Sequence, residues 1–149
     1  MSFHFGLEKL MNHRKNLQDE ASKNYLNSQA EYQKQNQILH QYYMDIETAR
    51  KNGFEIQLSG GKNSAESLCQ INDYIKGTEF KIEQQRQVVR RCLEKVEEMQ
   101  ELLREASIEY KIMEKLKEKK KEEFKEVEKK KEIKELDEMV TSRIKKSEK

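Results

Sequence analysis

The stretch from Ile71 to Met113, INDYIKGTEFKIEQQRQVVRRCLEKVEEMQELLREASIEYKIM, decides the fold of this 149-residue chain. Apolar residues recur in it at alternating steps of three and four, the spacing of a helix that keeps one seam against a partner helix. Only Thr78 and Gln85 interrupt the apolar run. The seam positions are Ile71, Ile75, Thr78, Ile82, Gln85, Val89, Cys92, Val96, Met99, Leu103, Ala106, Tyr110 and Met113.

The first part of the chain repeats this spacing more weakly. Its seam positions are Tyr32, Gln35, Leu39, Tyr42, Ile46, Ala49, Gly53 and Ile56. Further upstream the steps are mostly of four, which predicts a slip of phase, or stutter, at Leu17, Ala21, Tyr25 and Ser28. A single convincing break, from Ser59 to Ser64, separates the two series. Two apolar stripes joined by one short loop can bury each other only by folding back antiparallel.

The expected fold is therefore all-α: an elongated, antiparallel two-helix coiled-coil hairpin with a longer second helix, forming a single domain over residues 1–149. Helix 1 is expected over about 5–52, the loop over about 53–64 and helix 2 over about 65–143. Residue i should face roughly residue 120 minus i, which leaves helix 2 overhanging after about residue 116. An intramolecular seam predicts a monomer.

Charge and composition exclude several classes of protein. Charged residues make up 39% of the chain against 34% hydrophobic ones, which is too polar for a compact globular domain. The net charge of +2 and the Glu residues interleaved with Lys beyond Glu114 argue against nucleic-acid binding. The sequence has neither a signal-peptide pattern nor a membrane-spanning run, and Cys69 and Cys92 are expected to be reduced thiols, so we expect a soluble intracellular protein.

The sequence predicts no catalytic, metal or cofactor site. His4, His13 and His40 are too far apart along one helix to share a metal ion. The loop only superficially resembles a phosphate-binding loop, because Ile56 replaces its first glycine and Asn63 its Ser or Thr. Function must therefore come from docking. Tyr43 and Tyr74 lie off the seam and are expected to be exposed anchors.

Motifs at both ends of the chain resemble those of the FliJ family, a component of the bacterial flagellar export apparatus. The opening FHFGLEKLMNHR, from Phe3 to Arg14, resembles the family's F-x-F-x-L-E-x-[LV]-[LM]-x-x-R start. Near the other end, KLKEK at 115–119 and LDE at 136–138 followed by Arg143 resemble its K-L-K-E-K and L-D-E-x-x-x-x-R patterns. After the loop, Tyr74-Ile75, Ile82 and Gln85 are similar to its Y-I…I…Q stretch.

The resemblance implies an antiparallel coiled coil similar to the central stalk of rotary ATPases, with no enzymatic activity of its own. It implies three partners: the hexameric flagellar export ATPase, the cytoplasmic domain of the export gate membrane protein, and export chaperones. It also implies a location at the cytoplasmic face of the inner membrane, at the flagellar base. A patch that binds the export gate would comprise Gln35, Leu39, Tyr42, Ile46, Tyr74, Thr78 and Gln85. Ile46 and Thr78 depart from the family's usual residues, and several members of the patch also serve the seam.

The ring of the ATPase is expected to bind the end of the hairpin that carries both termini. There, apolar residues of the first segment come beside the start of the overhang, and the LDE motif follows. The expected ring-binding residues are Phe3, Phe5, Leu7, Leu10, Leu116, Phe124, Val127, Leu136, Asp137 and Glu138. Alternatively, Phe3 and Phe5 only staple the first helix onto the second. Two other functions stay open: a stalk protein of a virulence injectisome, and a generic coiled-coil scaffold.

Overall fold

Two helices account for nearly all of residues 2–148, the part of the chain that the computed structural model describes. Helix α1 is Glu8–Ser59, with 52 residues, and helix α2 is Ser64–Ser147, with 84 residues. No strand occurs between residues 2 and 148. The chain contains no Pro, so neither helix meets the residue that most strongly breaks one. The prediction of an all-α, antiparallel two-helix hairpin with a longer second helix is confirmed.

The loop is shorter than the sequence predicts. Helix α1 was expected to end near residue 52, but it continues to Ser59, because Gly53 is buried against Leu68 and Ile71 and an internal glycine costs a helix only about 1 kcal/mol. Gly60 then ends the helix in the left-handed conformation, with φ of 53°, that glycine adopts without a steric penalty. Its N–H donates to the carbonyl of Ile56 at 3.2 Å.

Contacts divide the chain into two units, each of which contains part of both helices. The first, here called the loop unit, is Glu20–Leu103. The second, the terminal unit, combines Met1–Asp19 with Arg104–Lys149. In the loop unit, the Gln85 side-chain amide donates to the Gln35 side-chain oxygen at 2.8 Å. In the terminal unit, the Lys117 ammonium lies 3.0 Å from the Glu8 carboxylate.

The predicted seam is buried or half-buried at every position from Tyr32 to Ile56 and from Ile71 to Met113. Within these two ranges of the seam, the most buried side chains of the loop unit are those of Ile46, Ala49, Thr78, Ile82 and Met99. Thr78 is accommodated because its hydroxyl donates to the Tyr74 carbonyl at 2.8 Å, so the buried oxygen has a partner. The period of the sequence therefore predicted the buried face of both helices correctly.

The predicted stutter upstream of Tyr32 is wrong. Leu17 is exposed, whereas the half-buried position beside it is Gln18. In the loop unit the seam continues as Ala21, Tyr25 and Ser28, and in the terminal unit as Met11, Arg14 and Gln18, all at steps of three and four. The spacing is regular, but two of its positions carry long polar side chains.

The N-terminal segment reaches further along α2 than the sequence predicts. Residues 2–5 are not helical, and an extended chain covers about 3.3 Å per residue against 1.5 Å in a helix. Phe3 therefore contacts Phe124, with ring centroids 5.7 Å apart, although helix 2 was expected to overhang after residue 116. From Lys129 to Glu148 every residue is exposed.

Candidate docking surfaces

The residues proposed for the export gate lie in the loop unit, but not all of them reach the surface. Ile46 and Thr78 are 7% and 4% exposed and belong to the packed seam. Tyr74 is 52% exposed, and the other four are half-buried: Gln35, Leu39, Tyr42 and Gln85. The intramolecular role expected for several of these positions is thus confirmed for the two buried ones.

Two hydrogen bonds join Gln85 on α2 to Gln35 on α1, both members of this set. Besides its bond to the Gln35 side chain, the Gln85 amide donates to the Gln35 backbone carbonyl at 2.9 Å. A polar pair inside an apolar seam costs stability but fixes which residues face each other. The pair therefore sets the register in which Tyr42 and Tyr74 are presented.

Tyr74 and Tyr43 are exposed, as predicted, and each has a defined setting. Tyr74 borders a shallow groove with Ala49, Ile56 and Ile71. The Tyr43 hydroxyl accepts hydrogen bonds from Arg86, at 3.0 Å from Nε and 2.6 Å from Nη2. The same guanidinium lies 5.9 Å from the Tyr43 ring centroid, within range of a cation–π contact. Arg86 therefore holds the Tyr43 side chain in place, while Tyr74 is the more exposed of the two.

The residues proposed for the ATPase ring lie in the terminal unit and divide into a packed group and an open group. Phe5, Met11 and Met113 form a small buried core on which Phe3, Tyr110 and Leu116 pack. Phe5 is only 7% exposed, so the chain itself covers this side chain, which was expected to bind the ATPase ring. The extended N-terminal segment places this ring directly against α2, which is the stapling role considered as the alternative.

The open group forms the rim of this core. Leu7 and Leu10 are 43% and 40% exposed, and Val127 is 52% exposed. A shallow groove runs between the N-terminal segment and α2, lined by apolar residues that include Phe3, Leu7, Leu116, Phe124 and Val127. Leu136, Asp137 and Glu138 lie further along α2 and are fully outside the packed core. The structure therefore brings together six of the ring-binding candidates: Phe3, Phe5, Leu7, Leu116, Phe124 and Val127. Leu10 is exposed but does not line this groove, and the LDE motif lies further along α2.

Ionic and polar contacts flank the core of the terminal unit. The Arg14 guanidinium pairs with the Glu109 carboxylate, and the Gln18 amide donates to the Ser107 hydroxyl at 3.1 Å. A hydrogen bond to Glu114 raises the pKa of the Tyr110 phenol, because the carboxylate accepts from the neutral hydroxyl. Desolvation and the charges of Glu114, Asp19 and Glu8 act in the same direction.

Several exposed apolar side chains were missed by the sequence analysis. Phe54 and Leu58, four residues apart near the end of α1, are 60% and 73% exposed, and Phe80 on α2 is 66% exposed. These residues lie outside the heptad seam. A Phe or Leu at such a position indicates an exposed apolar side chain, and this pattern could have identified them. Cys69 and Cys92 are free, as expected for reduced thiols.

Within residues 2–148, no three His, Cys, Asp or Glu side chains are grouped so that they could hold a metal ion. Neither α1 nor α2, over the residues that the structure describes, contains a stretch long and apolar enough to span a membrane.

Comparison with known proteins gives one clear match. The family described as "Flagellar FliJ protein" matches residues 3–149, essentially the whole chain. No curated protein and no solved structure matches it. The match includes both terminal motifs and the seam that the structure buries, so it does not rest on a short stretch of generic heptads. The chain therefore belongs to the FliJ family, whose members are non-catalytic components of the flagellar protein export apparatus.

Proposed function

We propose that this chain links three parts of the flagellar export machinery: the hexameric export ATPase, the export gate and the export chaperones. Membership of the FliJ family supports a role in the flagellar export apparatus. The exposed apolar rim of the terminal unit is the observation that supports binding to the ATPase. On this proposal the chain works as a monomer at the cytoplasmic face of the inner membrane, at the flagellar base, and raises ATP turnover by stabilising the assembled ring.

The proposed ring-binding surface is the groove between the N-terminal segment and α2, together with its rim. Leu7, Leu10 and Val127 contribute side chains that are 40–52% exposed and surrounded by charged residues. Fully burying one such side chain contributes about 1.5–3 kcal/mol, so a few of them can dominate a narrow interface. Phe3 and Phe5 support the shape of this surface from beneath. The LDE motif at 136–138 is proposed as a separate ring contact further along α2, outside the groove.

The proposed gate-binding surface is centred on Tyr74 and the groove that it borders. Tyr42, Leu39 and the Gln35–Gln85 pair supply half-buried side chains further along the loop unit, outside this groove. Ile46 and Thr78 act through packing and not through contact, since both are buried. An aromatic anchor on a rigid helix pair is the kind of residue that carries most of the binding energy in protein interfaces.

Binding and turnover assays with the cognate export ATPase test this proposal. Leu7→Glu combined with Val127→Glu places two carboxylates on the proposed rim and is expected to abolish ring binding and ATPase stimulation. Leu26→Glu is the matched control, because Leu26 is 60% exposed and lies in the loop unit. Tyr74→Ala is expected to show the reverse pattern, losing gate binding and keeping ATPase binding.

Circular dichroism checks that all variants stay folded. Normal binding and stimulation by the Leu7→Glu, Val127→Glu variant would remove the rim from the ATPase interface. A wild-type chain that changes neither the ATPase rate nor ring assembly over a wide titration would contradict the proposed coupling to the ATPase altogether.

A further inference from the structure

The C-terminal part of α2 carries an apolar stripe that nothing in the hairpin covers. Ile133, Leu136, Val140 and Ile144 follow one another at steps of three, four and four, so they share one face of the helix. They are 53–60% exposed, and we call them the tail stripe. A helix stabilised only by charge pairs does not require such a face.

The tail stripe points away from the seam of the terminal unit. Ile133 lies nine residues after Phe124, which is about two and a half turns at 3.6 residues per turn. The side of α2 that turns Phe124 toward Phe3 is therefore opposite the side that presents Ile133. Continued at steps of three and four, the seam itself meets Lys131, Lys134 and Glu138, which are polar. The N-terminal segment thus cannot cover the tail stripe.

The tail stripe is complementary to itself in the antiparallel direction. When a second copy runs the opposite way, Ile133 faces Ile144 and Leu136 faces Val140, because the residue numbers of both pairs share nearly the same midpoint. Each contact then occurs twice, as the twofold symmetry of an isologous interface requires. The dimer interface then has four layers: two in which Ile133 faces Ile144 and two in which Leu136 faces Val140.

The charges along the tail favour the same arrangement. Its first half, from Glu132 to Glu138, has four acidic residues and one Lys, whereas Arg143, Lys145 and Lys146 make the second half basic. Antiparallel pairing places acidic halves against basic halves. Glu132 then lies beside Lys146 of the second copy, and Lys130 beside its Glu148. A parallel pair would instead bring Glu132 beside Asp137 and align like charges.

We propose that two copies of this chain associate through antiparallel pairing of their tail stripes. Covering the four side chains and Met139, which is 60% exposed, removes on the order of 1,000 Å² from water in the pair. That area is at the lower limit for a specific interface, so the dimer forms at micromolar concentrations or higher. The intramolecular seam still folds each copy on its own. The chain is therefore a monomer at low concentration, the form proposed to work at the ATPase, and forms the dimer only as its concentration rises.

Sedimentation equilibrium over a range of concentrations measures this association. The wild-type chain is expected to shift from monomer to dimer as its concentration rises, and Val140→Glu is expected to keep it monomeric. Ser142→Glu is the matched control: it adds the same charge two residues away, on the opposite face of the helix, and is expected to leave the dimer intact. Circular dichroism verifies that each variant keeps its helices, which the exposed positions make the expected result.

A charge swap tests the orientation. Glu132→Lys places like charges beside Lys146 of the second copy in both halves of the dimer and is expected to weaken it about tenfold. Adding Lys146→Glu to that variant restores opposite charges and is expected to restore the affinity. A parallel dimer would not be restored, because these two residues do not meet in it.

A monomer at every concentration would overturn the proposal. So would equal losses in Val140→Glu and Ser142→Glu, or a double charge variant no tighter than Glu132→Lys alone. A chain that stays monomeric while Val140→Glu loses binding to the export ATPase would overturn self-pairing and assign the tail stripe to the ring. Leu136 belongs both to the tail stripe and to the LDE motif proposed for ring binding, so a chain paired through its tail cannot offer Leu136 to the ring. The rim itself is not affected by this test, since Leu7 and Val127 are unchanged in all of these variants.

Discussion

Two isoleucines of α2 show how differently the same helix is used along its length. Ile82, in the loop unit, is 6% exposed, and Ile133, in the terminal unit, is 59% exposed. Both lie in regular helix, and both belong to apolar stripes at helical spacing. Helical spacing therefore predicts a buried face only where a partner stripe exists within the chain. Where the partner stripe ends, the same pattern marks a surface that is available to another molecule.

The largest expected effect is on stability, and it tests the contrast between Ile82 and Ile133 directly. Ile82→Ala removes three carbon atoms from a packed seam and should lower the free energy of unfolding by about 2–4 kcal/mol, because the vacated space is only partly refilled. Ile133→Ala removes the same atoms from a solvated face and should change it by less than about 0.5 kcal/mol. Urea denaturation followed by circular dichroism measures both.

Low protein concentration keeps the tail unpaired in this experiment. Similar losses in the two variants would mean that Ile133 is packed within the monomer and that the contrast between seam and tail is wrong. A small loss at Ile82 would mean instead that the seam contributes little to the stability of the loop unit.

The seam of α2 was the part most completely predictable from the sequence. From Ile71 to Met113, apolar residues occupy nearly every seam position, so the period could be counted without ambiguity. Thr78 and Gln85 were the exceptions, and both are accommodated by hydrogen bonds within the hairpin. A seam with rare polar residues retains its period because the apolar neighbours fix the phase.

The upstream end of α1 could not be predicted from apolar spacing because its seam is partly polar. Arg14 and Gln18 occupy seam positions, and their long side chains reach Glu109 and Ser107. Leu17 was predicted as a seam position because it is the apolar neighbour of Gln18, but its side chain is exposed. Hydrophobicity alone moved the phase by one residue, and only the polar partners on α2 correct it.

The N-terminal candidates for ring binding were misjudged for a different reason. The sequence analysis began helix 1 at about residue 5, which places the first residues opposite a short part of α2, whereas the non-helical segment before Glu8 reaches Phe124. The sequence therefore named the right apolar cluster but not its packing. It assigned Phe5 to a partner, although the chain itself buries this ring.

Substitutions at the Gln35–Gln85 pair are expected to have a smaller effect on stability, and they test what polar residues contribute to the seam. Gln85→Ala leaves the Gln35 groups without their donor and should cost about 1 kcal/mol. Replacing both residues by Leu should be neutral or stabilising, because no unpaired polar group remains, but it should loosen the register. Urea denaturation measures stability, and a double-mutant cycle isolates the pair. Additive effects of the single and double substitutions would show that the two amides do not interact.

The smallest expected effect concerns Tyr110, on the edge of the terminal unit's core. The neutral phenol donates to Glu114. Ionisation would place a phenolate near three carboxylates, those of Glu114, Asp19 and Glu8, so the pKa of Tyr110 lies above the ordinary 10.0. A raised pKa means that this contribution to stability is present below pH 10 and is lost as the pH rises through the folded-state value.

The titration of Tyr110 can be measured by difference. Subtracting the tyrosinate absorbance titration of Tyr110→Phe from that of the wild type isolates the Tyr110 curve. Glu114→Gln should move that curve toward 10.0, since the amide carries no charge, whereas Glu118→Gln should leave it in place. A Tyr110 curve that already centres on 10.0 in the wild type would show that the hydroxyl does not bond Glu114 in solution.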